Sequence, residues 1–246
     1  MTPTELLAQA SPIIGDVGGH FMLHPTTAEF AKDNGFDNLY VFYGRGRGGV
    51  LGEVDADVVC SAFGFFNPSL IRGVWESGVE ILGARETGAL FSEAAARFGR
   101  RFLTGIRGLD EFIAAATKVI DAADVWAMPL FAGWRAEPRA DDAPAHAYQL
   151  MNVLREMRGG AHLIACVTKG LLGPVPVLIN GGPEVASLFG WTGDLPDVED
   201  RRSDWDRAEA LTSELVTPAW SVLGAEEGRS MLEVLNAAQA AIAEDA

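Results

Sequence analysis

Several things are scarce in this sequence. Only two cysteines, Cys60 and Cys166, occur in 246 residues, which excludes the disulfide framework on which small secreted domains depend. Both sit in apolar runs, Val58-Val59-Cys60 and Leu163-Ile164-Ala165-Cys166-Val167, where a reduced, buried, small hydrophobe is the expected state. No stretch approaches the ~18 consecutive apolar residues that suggest a membrane span. Met1-Thr2-Pro3-Thr4-Glu5 offers no positively charged lead into an apolar segment, so the expected location is the cytoplasm. Positive charge is also scarce: 19 Lys+Arg stand against 34 Asp+Glu, a formal charge of -15. Such a surface repels phosphate backbones and anionic lipids on average, so nucleic acid is not expected as a partner without a local basic patch, nor is a membrane.

What is present is helical. With 48% hydrophobic residues and 22% charged, the chain has the composition of a globular protein, and three- and four-residue apolar spacings outnumber alternating ones. The expected fold class is all-α. Leu6, Leu7, Ala10, Ile13, Ile14, Val17 and Phe21 share one face, with Pro12 and glycines 15, 18 and 19 expected to kink that helix. A short helix starts at Pro25 and stops at Asn34-Gly35, and Asn67-Pro68 caps another that turns Leu70, Ile71, Val74 and Trp75 inward. Amphipathic patterns cover 85–103 and 109–121. The charged, proline-containing run from Trp134 to Pro144 breaks the pattern, which divides the chain into an N-terminal helical domain (1–135), a linker (136–144) and a C-terminal helical domain (145–246). In the latter, Ala145–Arg158 is expected to stop at Gly159-Gly160 and Ala161–Lys169 at Gly170. Long helices over 203–223, bent at Pro218, and 225–244 close the chain.

The stretch Leu154-Arg155-Glu156-Met157-Arg158-Gly159-Gly160-Ala161-His162-Leu163, followed by Lys169-Gly170-Leu171 and Phe189-Gly190-Trp191, resembles an actinobacterial family of helix-turn-helix proteins whose label implies architecture rather than activity. Tyr43 to Val59 and the Phe63-Gly64-Phe65-Phe66-Asn67-Pro68 run with Trp75 are similar to the same family. The resemblance implies a degenerate winged-helix segment, like that of MarR-type regulators, in the C-terminal half. Between Gly159 and Asp200 the only basic residue is Lys169, against Glu184, Asp194, Asp197, Glu199 and Asp200. Recognition helices normally offer Arg, Lys, Asn or Gln to bases and several cations to phosphates. A scaffold that has lost DNA binding is the expectation.

Arg155, Arg158 and His162 form the most informative group. Directed into the space between the halves, they would hold a carboxylate or phosphate, with His162 as proton carrier or as metal or haem ligand; helix-end arginines and a packed histidine are the bland alternative. His20 and His24 have the four-residue spacing of a two-histidine metal site, with Asp16 four residues earlier, although Pro25 disfavours helical geometry at His24. Gly44-Arg45-Gly46-Arg47-Gly48-Gly49 reads as a loop that either cradles an anion or turns tightly, its arginines pairing with Glu53, Asp55 or Asp57. The nearby aromatic residues, Tyr43 among them, serve either as core or as a pocket wall.

Together these features imply binding of a small hydrophobic anion or haem-like cofactor between the halves. Arg155, Arg158 and His162 would be its contacts, joined by Tyr43, Arg45, Arg47 and His20, and catalysis there is left open. The alternatives are a ligand-responsive DNA-binding regulator of helix-turn-helix type and a structural homodimer built through the last two helices.

Overall fold

The computed structural model describes residues 1–244; Asp245 and Ala246, the last two of the expected C-terminal half, lie outside the described residues. The all-α expectation holds, and no strand occurs among the described residues, so the resemblance to winged-helix proteins does not extend to a hairpin wing.

Local signals fix many boundaries. Helix α1 (Pro3–His20) opens with a capping box: the Glu5 amide donates to Thr2 Oγ1 at 3.2 Å and the Thr2 amide to the Glu5 carboxylate at 2.7 Å. After a 3₁₀ turn, α2 (Pro25–Asp33) follows, with His24 as its N-cap. Next come α3 (Leu39–Gly48), α4 (Ala56–Phe63) and α5 (Pro68–Ser77), the last capped by Asn67. The middle of the chain supplies α6 (Ala84–Phe102), α7 (Leu109–Ala122) and α8 (Pro129–Ala136). The remaining helices are α9 (Ala143–Thr168), α10 (Val175–Leu188), α11 (Arg202–Trp220) and α12 (Ala225–Ala243). Gly182 interrupts α10 at φ +73°.

Two sequence expectations are corrected. First, α9 does not stop at Gly159-Gly160 but runs 26 residues through them. A Cβ at Gly160 would lie 2.8 Å from Met128 Cγ, whereas one at Gly159 would meet nothing within 4 Å. Close approach by Met128, just before α8, accounts for Gly160, and an open cavity borders Gly159. Second, residues 44–48 form no loop but the buried end of α3. Its glycines admit neighbours: Val74 packs against Gly44, Phe91 against Gly46, Trp75 against Gly48, and the α6 backbone against Gly49. Helical geometry then sends Arg45 and Arg47, two residues apart, to different sides.

Helix α9 is the axis of the molecule, packed by α1, α6, α7, α8 and α11 and buried along most of its length. A helix buried on nearly all sides lies at the centre of the core, and the polar side chains it carries there need partners. One buried cluster contains Leu130, Phe131 and Trp134 together with Ala147, Tyr148 and Leu150, so the core is continuous across 136–144. That segment is fastened at both ends. Arg139 donates to the Trp134 and Glu137 carbonyls, Gln149 accepts from the Ala140 amide, and Asp142 caps α9 while pairing with Arg100. The apolar face of α12 is spent on α1 and α7 inside the chain. Smaller clusters around α10 and α11 sit beside this core.

Candidate functional site

A cavity of about 370 Å³ opens along the middle of α9, lined from α1, α3, the 61–66 segment, the 127–131 segment, α9 and α10. Tyr43, Arg47, Arg155, Arg158 and His162 all contribute to its wall. Arg45 does not join them. Its guanidinium grips Glu53 through Nη2 at 2.8 Å, donates from Nε to the Leu82 carbonyl and lies 4.4 Å over the Trp75 ring.

The innermost polar group is Glu156, buried on α9. Arg47 embraces it in a two-pronged contact, Nε to Oε1 and Nη2 to Oε2, each 2.9 Å, and donates from Nη1 to Tyr43 Oη at 3.0 Å. Arg155 adds a third charged hydrogen bond to Glu156 at 3.0 Å. Burial alone favours the neutral acid, but Arg47 and then Arg155 hold the Glu156 carboxyl below the usual range. Burial likewise opposes the Arg47 charge, yet Glu156 and Tyr43 keep that guanidinium more firmly protonated than an ordinary arginine. The Arg47 plane also sits 4.6 Å over the Phe63 ring.

A second group joins α9 to α11. Arg158 Nη2 donates to Glu209 at 2.6 Å, and His162 Nδ1 lies 2.9 Å from Thr212 Oγ1 and 3.6 Å from Glu209 Oε1. Thr212 gives its own proton to the Ala208 carbonyl at 2.7 Å, which assigns Nδ1 of His162 as the donor between them. His162 Nε2 then accepts from the Cys166 thiol at 3.5 Å. Burial depresses the His162 pKa, Arg158 pushes the same way and Glu209 opposes, so the ring is neutral at pH 7. Burial pushes the Cys166 thiol up to about 12. No thiolate forms there at neutral pH, and the Cys166–His162 pair is not an activated nucleophile.

Aromatic side chains complete the wall. Phe66 and Phe189 stack with centroids 4.2 Å apart, and the Asn67 amide donates to the Phe189 carbonyl while Trp191 Nε1 donates to the Phe65 carbonyl, fastening the α4–α5 turn to the end of α10. Gly15 and Gly159 line the cavity with open space where a Cβ would project.

The residues present do not fit a haem. Both ring nitrogens of His162 are engaged inside the protein, leaving none for iron. His20 ends α1 and His24 caps α2, so the two do not share one continuous helix; their rings lie 6.0 Å apart and Asp16 stands 4.0 Å from His20 Nδ1. Among the described residues no three His, Cys, Asp or Glu side chains are grouped to hold a metal. Glu156 and Glu209 escaped the sequence reading. For Glu156 the signal appears only once α9 is known to be the central helix, because a carboxylate buried there needs a cation beside it.

Geometry therefore defines an all-helical protein with a polar, arginine-bearing cavity beside the middle of its central helix. Residues 9–194 match the family model described as the helix-turn-helix family, and the chain belongs to that family. No curated protein and no solved structure matches the chain. Family membership argues against setting nucleic acid aside on net charge alone.

Proposed function

We propose that this chain is a small-molecule-binding member of its family and that the cavity beside α9 takes a small hydrophobic anion. One observation carries the reading: three guanidiniums, those of Arg47, Arg155 and Arg158, converge on an aromatic-walled cavity in a chain of net charge -15. Pockets built from apolar walls with a few convergent polar groups are how proteins hold small ligands. Native mass spectrometry of the purified chain tests it. An acidic compound released on denaturation supports the reading; the bare chain mass, with no uptake of added organic acids, removes it.

Family membership favours a second reading, a ligand-responsive regulator that binds DNA. The side chains that α10 exposes include Asn180, Glu184 and Ser187, which offer one base-reading amide and a carboxylate that phosphates repel. Gel shifts at 50 and 200 mM salt separate the two readings. A DNA complex that weakens steeply with salt supports the regulator, and no complex at 50 mM removes it.

A further inference from the structure

Provided that the cavity beside α9 is a ligand site, as proposed above, its charges also select the ligand. We infer that it takes a monoanion, a compact apolar monocarboxylic acid held by Arg155 and Arg158 and not by Arg47.

Arg47 has little left to give. Its three guanidinium nitrogens are engaged by Glu156 and Tyr43, one face lies over Phe63, and the residue is 8% exposed. Arg155 and Arg158 differ. Each commits one terminal nitrogen, to Glu156 and Glu209 respectively, and their side chains are 29% and 28% exposed. Among the described residues no hydrogen bond engages Nε or the other terminal nitrogen of either. Three residues apart on α9, they share a face. Gly159 follows directly, and the space its missing side chain leaves is where a ligand body fits.

The charge count sets the ligand's valence. Among the described residues, Glu156 and Glu209 are the carboxylates paired with these guanidiniums, with His162 neutral. Asp16, beside Gly15, is turned to Gln239 at 3.0 Å and to His20. One positive charge remains over. A monocarboxylate neutralises it with charge-assisted hydrogen bonds. A phosphate monoester, nearly dianionic at neutral pH, places surplus negative charge beside two fixed carboxylates, and a neutral amide leaves the cation unanswered. Tyr43, Phe63, Phe66 and Phe189 supply the apolar wall, and about 370 Å³ suits a compact body.

Titration calorimetry at pH 7.5 with three probes sharing one apolar body tests this: 3-phenylpropanoate, 3-phenylpropanamide and 3-phenylpropyl phosphate. The carboxylate is expected to bind at least about tenfold more tightly than either other probe. Arg155→Gln and Arg158→Gln are each expected to weaken it by about tenfold while leaving the amide unchanged, with circular dichroism confirming the fold. Arg155→Lys, which keeps the charge, is expected to recover part of the loss. Glu209→Gln raises the local charge by one and is expected to narrow the margin over the phosphate. Equal affinity for the amide, or tighter binding of the phosphate by the unaltered chain, overturns the charge assignment and leaves the ligand site standing. Binding of none of the three overturns the ligand site, and this inference with it.

Discussion

At the scale of single residues, Glu156 and His162 carry the account. Glu156 is buried between Arg47 and Arg155, and removing one partner of a buried ion pair leaves an uncompensated charge. Glu156→Gln is therefore expected to cost about 3–5 kcal/mol in urea unfolding, whereas Arg47→Met with Glu156→Leu recovers most of it; a cost for Glu156→Gln under about 1 kcal/mol contradicts the buried pairing. His162 gives a pH signature. Its folded-state pKa is depressed, first by burial and then by Arg158, so below the unfolded value of about 6.5 the unfolded chain binds the extra proton. Its contribution is whole above that value and is lost as pH falls from there through the folded one. Between pH 7 and 5 the unaltered chain should lose more stability than His162→Gln; parallel curves contradict a buried neutral imidazole. Arg155, Arg158 and His162 were legible as a group because charged side chains at helical spacing stand out. The carboxylates that hold them were not, since Glu209 is distant in sequence and Glu156 becomes informative only once its helix is known to be central.

At the scale of elements, the helices that begin with local chemistry were readable. Asn67-Pro68 and the amphipathic pattern over 109–121 correspond to α5 and α7 within a residue. The failures share one cause. Gly44 to Gly49 and Gly159-Gly160 look like breaks because glycine is a poor helix former, yet tertiary packing overrides propensity, and at Gly44, Gly46, Gly49 and Gly160 a neighbour also needs the room, whereas at Gly159 none does. That cause predicts opposite outcomes at two glycines. Gly159→Ala, in a helix interior with open space at its Cβ, is expected to stabilise the fold by about 0.5–1 kcal/mol. Gly49→Ala, whose Cβ would collide with the α6 backbone at Ala84 and Gly88, is expected to destabilise it. Thermal melts of the two variants decide; a destabilising Gly159→Ala would mean that α9 breaks there after all.

At the scale of the whole molecule, the charge of -15 first reads as a property of the entire surface. The fold localises the exception: three arginines against two glutamates beside α9, in a cavity walled by aromatic side chains. The composition break at 136–144 was legible as a change of sequence character, and one buried cluster has members on both sides of it. The most direct test of the ligand site compares native mass spectra of the unaltered chain and of Gly159→Leu, each incubated with 3-phenylpropanoate. The substituted side chain projects into the cavity without meeting another atom at its Cβ, so the fold is expected to survive. The account predicts a one-to-one adduct on the unaltered chain that Gly159→Leu loses. An adduct of equal strength on both, or on neither, contradicts it.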